Sequence, residues 1–135
     1  MNRDELEQVA IRWVVEGWQK GRIAMVDDLH APLFIDHSAA GRRADREGFK
    51  DGIRGLYEAF PDFHAKITDL VVDTIRSRVA VRWTAQGTHS GEFMGCPPTR
   101  RLIIFAGIEI IHIKDGLIIE RWGEWNGEDI LRQLN

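Results

Sequence analysis

The sequence predicts an α+β domain, with helices packed on one face of a curved antiparallel sheet. Three observations carry this. Up to Phe60, apolar residues recur at spacings of three and four, the period of a half-buried helix. After Pro61 the period changes to two, the signature of strands. Helices first and a run of strands second is the order of an α+β fold. At 135 residues the chain is sized for one domain spanning 1–135, long enough to fold around its own core without staples.

Each element follows from local pattern. From Asp4 to Lys20, residues Leu6, Val9, Ala10, Trp13, Val14 and Trp18 form one apolar stripe, with Asp4 as N-cap and Gly21 as terminator. A helical turn, Ala24–Leu29, follows. Pro32 then breaks the helical pattern, and Leu33–Ile35 reads as a short strand. A second helix runs from Asp45 to Phe60, carrying Phe49, Ile53, Leu56 and Tyr57 at helical spacing. Strands are expected over Phe63–Asp73, Arg78–His89, Leu102–Ile113 and Leu117–Trp125, and a short helix over Asp129–Leu134. Lys114-Asp115-Gly116 supplies the hairpin turn between the last two strands.

Composition bounds the function. Hydrophobic residues make up 44% and charged residues 29%, the balance of a folded globular chain. A net charge of −3 gives no electrostatic footprint for nucleic acid or an anionic membrane. The single cysteine, Cys96, excludes an internal disulfide and a multi-cysteine zinc site. The apolar run Leu102–Ile108 is too short to span a membrane, and Met1–Glu5 carries acids where a secretory leader would be basic. A cytoplasmic address is the expectation. The five histidines lack metal-ligand spacing, so no metal is expected.

Alternation sorts the third long strand into two faces. One holds Ile103, Phe105, Gly107, Glu109 and Ile111; the other holds Ile104, Ala106, Ile108, Ile110 and His112. Both are largely apolar, so both should be covered, one by the helices and the other by a second subunit in a homodimer. Glu109 between isoleucines is either a pocket acid or the partner of an ion pair, with Arg121 on the neighbouring strand as the candidate cation. Five tryptophans read as core packing or as the walls of a site for a planar apolar ligand. His30 and His64 are expected at the surface.

The segment Gly87-Thr88-His89-Ser90-Gly91-Glu92-Phe93-Met94-Gly95-Cys96-Pro97-Pro98-Thr99-Arg100-Arg101 resembles the glycine- and proline-punctuated motif of the SnoaL-like polyketide cyclase family, within the NTF2-like superfamily. Phe60-Pro61-Asp62, Lys114–Ile118, Glu120-Arg121-Trp122 and Leu131–Leu134 match it in the same order. The resemblance implies a cone-shaped α+β barrel with a pocket between sheet and helices. It implies a small-molecule substrate and an aldol ring closure that needs no metal and no cofactor. One carboxyl before a tryptophan, near the end of the last strand, would act as acid and base. An ungapped match puts Gly123 there; matching the acid–Trp pair selects Glu124-Trp125 and requires a bulge near Gly123. The family's glutamine and histidine on the preceding strand correspond to Gly107 and Glu109.

The sequence thus nominates Glu124 and Glu109 as catalytic carboxyls. A desolvated carboxyl would have its pKa raised, as proton shuttling requires, unless Arg121 lies within hydrogen-bond reach. Ligand contacts are expected from Trp18, Phe34, His37, Phe49, Trp83 and His89, and from Arg121, Trp125 and Asn126 at the last strand's end. Two functions follow: a cofactor-independent enzyme acting on an apolar oxygenated compound, or a non-catalytic module that binds a hydrophobic ligand or a partner through the same fold.

Overall fold

A computed structural model describes all residues, 1–135. Helix α1 spans Arg3–Arg12 and is capped by Asn2, not Asp4. Asn2 accepts from the Glu5 backbone while Glu5 reaches back to the Asn2 N–H, which satisfies donors at both positions. The expected single helix to Lys20 changes character midway: Trp13–Gln19 is a π-helix. Its wider turn brings Trp13 and Trp18, five apart, edge to face at 5.9 Å. Gly17 is what permits this, since a Cβ there would overlap the Trp13 ring at 2.2 Å.

Helix α2 (Ala24–Leu29) leads into strand β1 (His30–Asp36), longer at both ends than the pattern around Pro32 suggested. Pro32 is tolerated because β1 is an edge strand, where a missing N–H costs no ladder bond. Helix α3 (Arg46–Ala59) is capped by Asp45. Strands β2 (His64–Asp73), β3 (Arg78–Thr88), β4 (Leu102–Lys114) and β5 (Leu117–Trp125) follow, then α4 (Gly127–Leu134). The sheet order is β1-β5-β4-β3-β2, antiparallel except for β1, which pairs parallel to β5. The α+β class and the curved sheet against the N-terminal helices are as expected.

The β4 faces match the alternation. Ile103, Phe105, Glu109 and Ile111 are buried, while Ile104, Ile108 and Ile110 are exposed. On β5 the parity is set by a bulge. Ile113 pairs with Ile118, but His112 pairs with Glu120, so Ile119 is the extra residue. Beyond it Arg121, Gly123 and Trp125 oppose the inward residues Ile111, Glu109 and Gly107. The bulge is therefore four residues before Gly123, and Glu124 stays on the outward face with Glu120 and Trp122.

Candidate functional site

A cavity of about 680 Å³ lies between the sheet and the helices. Aromatic side chains from the π-helix, α3, the residue before β2 and the strands form much of its wall: Trp18, Phe49, Phe63, Trp83, Phe105 and Trp125. Two inward glycines shape it. Gly107 lets the Trp83 ring lie against β4, where a Cβ would meet that ring at 2.3 Å. Gly123 leaves room for the Arg121 guanidinium, whose Nη2 lies 2.0 Å from where a Cβ would stand. The Phe49 ring covers the same guanidinium at 5.0 Å. The position that the resemblance gives to a carboxyl is thus occupied by a folded-back arginine.

Arg121 is the hub of a buried charge network. Its Nε and Nη2 donate to Glu109 Oε2 at 3.2 and 3.1 Å, and its Nη1 donates to Asp36 Oδ1 at 2.7 Å. Burial works against the Arg121 charge, but the Glu109 and Asp36 carboxylates more than offset it, and its pKa is raised. Asp36 also accepts from the Ser38 N–H at 2.9 Å, and its Oδ2 lies 3.7 Å from Arg42 Nη2. Ser38 Oγ in turn accepts from the Gly123 N–H at 2.9 Å. Of the two settings weighed for Glu109 the structure combines both: it is paired with Arg121 and it lines the cavity. Only Oε2 is engaged; Oε1 makes no hydrogen bond to the protein.

The remaining nominated residues divide. Trp18, Phe49, Trp83, Arg121 and Trp125 line the cavity with Glu109. His37 lies at its edge, its Nε2 2.9 Å from Glu120 Oε1 and its ring stacked on Trp122 at 4.7 Å. Glu120 also meets His112 Nδ1 at 2.7 Å; the bonds to His112 and then His37 hold the Glu120 carboxyl below its usual pKa. Glu124 is exposed at the margin, cross-strand from the outward Ile108, and is not the desolvated acid that the acid–Trp match implied.

Three expected ligand contacts are corrected. Phe34 is a core residue, packed against His30 and Phe49. His89 is fully buried beside Phe60, and its Nδ1 accepts from the Thr99 N–H, tying together the two ends of the glycine-proline loop. Asn126 caps α4 by accepting from the Asp129 N–H. His30, expected at the surface, is 1% exposed. Asp36, Ser38 and Arg42 are the site residues that pattern reading missed. The signal for Asp36 was its place on an edge strand's inward face, within reach of any inward β5 cation.

Rim geometry explains the motif around Gly95. Met94 and Gly95 both have positive φ, 50° and 77°, and form a two-residue turn between Phe93 and Cys96, which pair backbone to backbone. The turn sets Phe93 against Phe60 and Trp125 at the cavity wall.

The fold has close counterparts among solved structures. TsrD of Streptomyces laurentii superposes with a TM-score of 0.88 at 24% identity, covering 100% of this chain and 98% of that one. IdmH of Streptomyces antibioticus is 31% identical, with a TM-score of 0.81 over 96% of this chain and 97% of its own. A SnoaL-like polyketide cyclase of Agrobacterium tumefaciens is 19% identical, with a TM-score of 0.79 over 96% and 98%. A search of curated proteins returns no match. The sequence model of the SnoaL-like polyketide cyclases fits residues 8–134, from the first helix to the last, and encloses every residue of the cavity just described; the chain belongs to that family.

Proposed function

We propose that the protein is a cofactor-independent enzyme that moves a proton on a small, apolar, oxygenated compound held in the cavity, as in an aldol cyclisation or an isomerisation. The observation that carries this is Glu109. It is a 6% exposed carboxylate on an aromatic wall, with one oxygen fixed by Arg121 and the other free. In this reading Oε1 takes a proton from carbon next to a substrate carbonyl. The enolate closes onto a second carbonyl, or is reprotonated elsewhere, and the proton returns from Glu109. No atom or electron is gained or lost. Three of the five Arg121 N–H groups are engaged, and the other two are donors for the oxygen on which charge develops. Replacing Glu109 with Gln should reduce turnover by about 10²–10⁴-fold, the usual contribution of a general base. Turnover unchanged by that substitution would rule out Glu109 as the base; no turnover of any carbonyl compound that the cavity binds would favour the non-catalytic binding module, a reading that Gly123 at the expected acid position also supports.

Self-association is part of the proposal. Ile104, Ile108 and Ile110 form an apolar strip on the outward face of β4, which a second copy would cover in an isologous pair. Light scattering after size exclusion should give twice the chain mass of 15.5 kDa. A monomer at micromolar concentration would rule the dimer out.

A further inference from the structure

We propose that the second copy packs about a two-fold axis running along β4, so that Arg82 of each chain pairs with Glu124 of the other. The inference rests on self-association through this face, proposed above, and adds the orientation and the contacts that select it. Sheet register is the first observation. On the outward face, cross-strand pairing sets Arg82, Ile108 and Glu124 in one row, from β3 through β4 to β5. The cation and the anion thus flank the apolar strip, each one strand spacing, about 4.8 Å, to its side. β4 is the middle strand of five in a sheet that curves around the helices. The strip is therefore where the outward face projects and where a copy would touch first.

The second observation is that both charges are open to a partner. Glu124 is exposed and makes no ion pair within its own chain. Arg82 has only Asp69, 3.7 Å from its Nη2, and these side chains are 62% and 60% exposed. So solvated a pair contributes little and leaves the guanidinium free to turn. The next charged row, Arg78, His112 and Glu120, is occupied within one chain: Arg78 lies over the Trp122 ring at 5.0 Å, and Glu120 is bonded to His37 and His112.

Symmetry then separates the orientations. A face whose cation and anion stand on opposite sides of an apolar strip is complementary to itself, which is what a second copy requires. A two-fold along β4 exchanges the two sides. Ile108 then meets its own copy, and Arg82 meets the partner's Glu124, twice in each dimer. A two-fold across the strands at Ile108 would keep each side over itself. Arg82 would face the partner's Arg82, and Glu124 the partner's Glu124, and like charges across an interface disfavour that arrangement.

The test reverses one charge at a time in the full chain and follows association by sedimentation velocity at low salt. Arg82→Glu and Glu124→Arg should each dimerise at least about tenfold more weakly than the wild type, because each turns two attractions into two repulsions. An equimolar mixture of the two variants should pair again, with a Kd within about threefold of the wild-type value. Native mass spectrometry should show that the restored dimer holds one chain of each kind. That recovery also shows that both variants are folded. Single variants that dimerise like the wild type, or weakened variants that do not recover on mixing, would overturn this packing and leave the dimer reading standing. A monomeric wild type would overturn both.

Discussion

Replacing Arg121 with methionine should cost about 3–5 kcal/mol of folding stability at neutral pH, the cost of stripping the partner from a buried charge. Methionine keeps the apolar stem that packs under Phe49 but removes the cation between two carboxylates. Asp36 has a side chain with no exposed surface, and Glu109 is barely exposed. Neither can turn to water without leaving its strand. Urea denaturation should show the loss, and acid should relieve part of it, because protonation neutralises the stranded carboxylates. Adding Glu109→Gln to the variant should recover part of the deficit, since the two residues share one network and their effects cannot add. A loss under about 1 kcal/mol would mean that the network behaves as a solvent-screened pair.

The wild-type protein should lose about 3–5 kcal/mol of stability as pH falls from 6.5 towards 3, through His30 alone. Its ring is enclosed by Trp13, Phe34 and Phe49. Burial is the main cause that lowers its pKa from 6.5 to about 3, against the bond from Nδ1 to the Val26 carbonyl at 2.9 Å. The native state therefore keeps His30 neutral in a range where the unfolded chain takes up a proton. The stability is complete above pH 6.5 and falls with pH from there. The carboxyls of Asp27, Asp62 and Asp73 have lowered pKa values, so their contribution is lost only below the ordinary carboxylate range. His30→Phe should flatten the slope between pH 6.5 and 4, by about 1.4 kcal/mol per pH unit. At pH 7 it should lose about 1 kcal/mol for the bond to Val26. An unchanged slope in that variant would show that another group carries the acid sensitivity.

Sequence pattern reached the α+β order, the β4 faces and the Asp115-Gly116 hairpin because each depends on contacts near in sequence. It placed Glu109 and Arg121 together because cross-strand neighbours follow from alternation once the hairpin is known. It misplaced His30 because that residue's surroundings come from the π-helix and α3, and a π-helix is invisible to a search for threes and fours. The spacing of five between Trp13 and Trp18 was the only trace of it. Phe34 and His89 were rightly read as facing inward. Facing inward does not separate core from cavity, which depends on how much of the interior the neighbouring side chains fill. Asn126 was read as a ligand residue because the cap of a short helix looks, in one dimension, like the end of a strand.

The single extra residue in β5 works like a frameshift in the chemistry of the molecule. With Ile119 present, the reading phase delivers arginine, glycine and tryptophan to the interior. A chain of identical local sequence with that residue removed would deliver Glu120, Trp122 and Glu124 inward and turn Arg121 to the solvent. The stretch Glu-Arg-Trp-Gly-Glu-Trp therefore encodes two opposite interiors, and one upstream residue chooses between them. Position-by-position alignment of relatives across this strand compares like with like only when both chains carry the insertion.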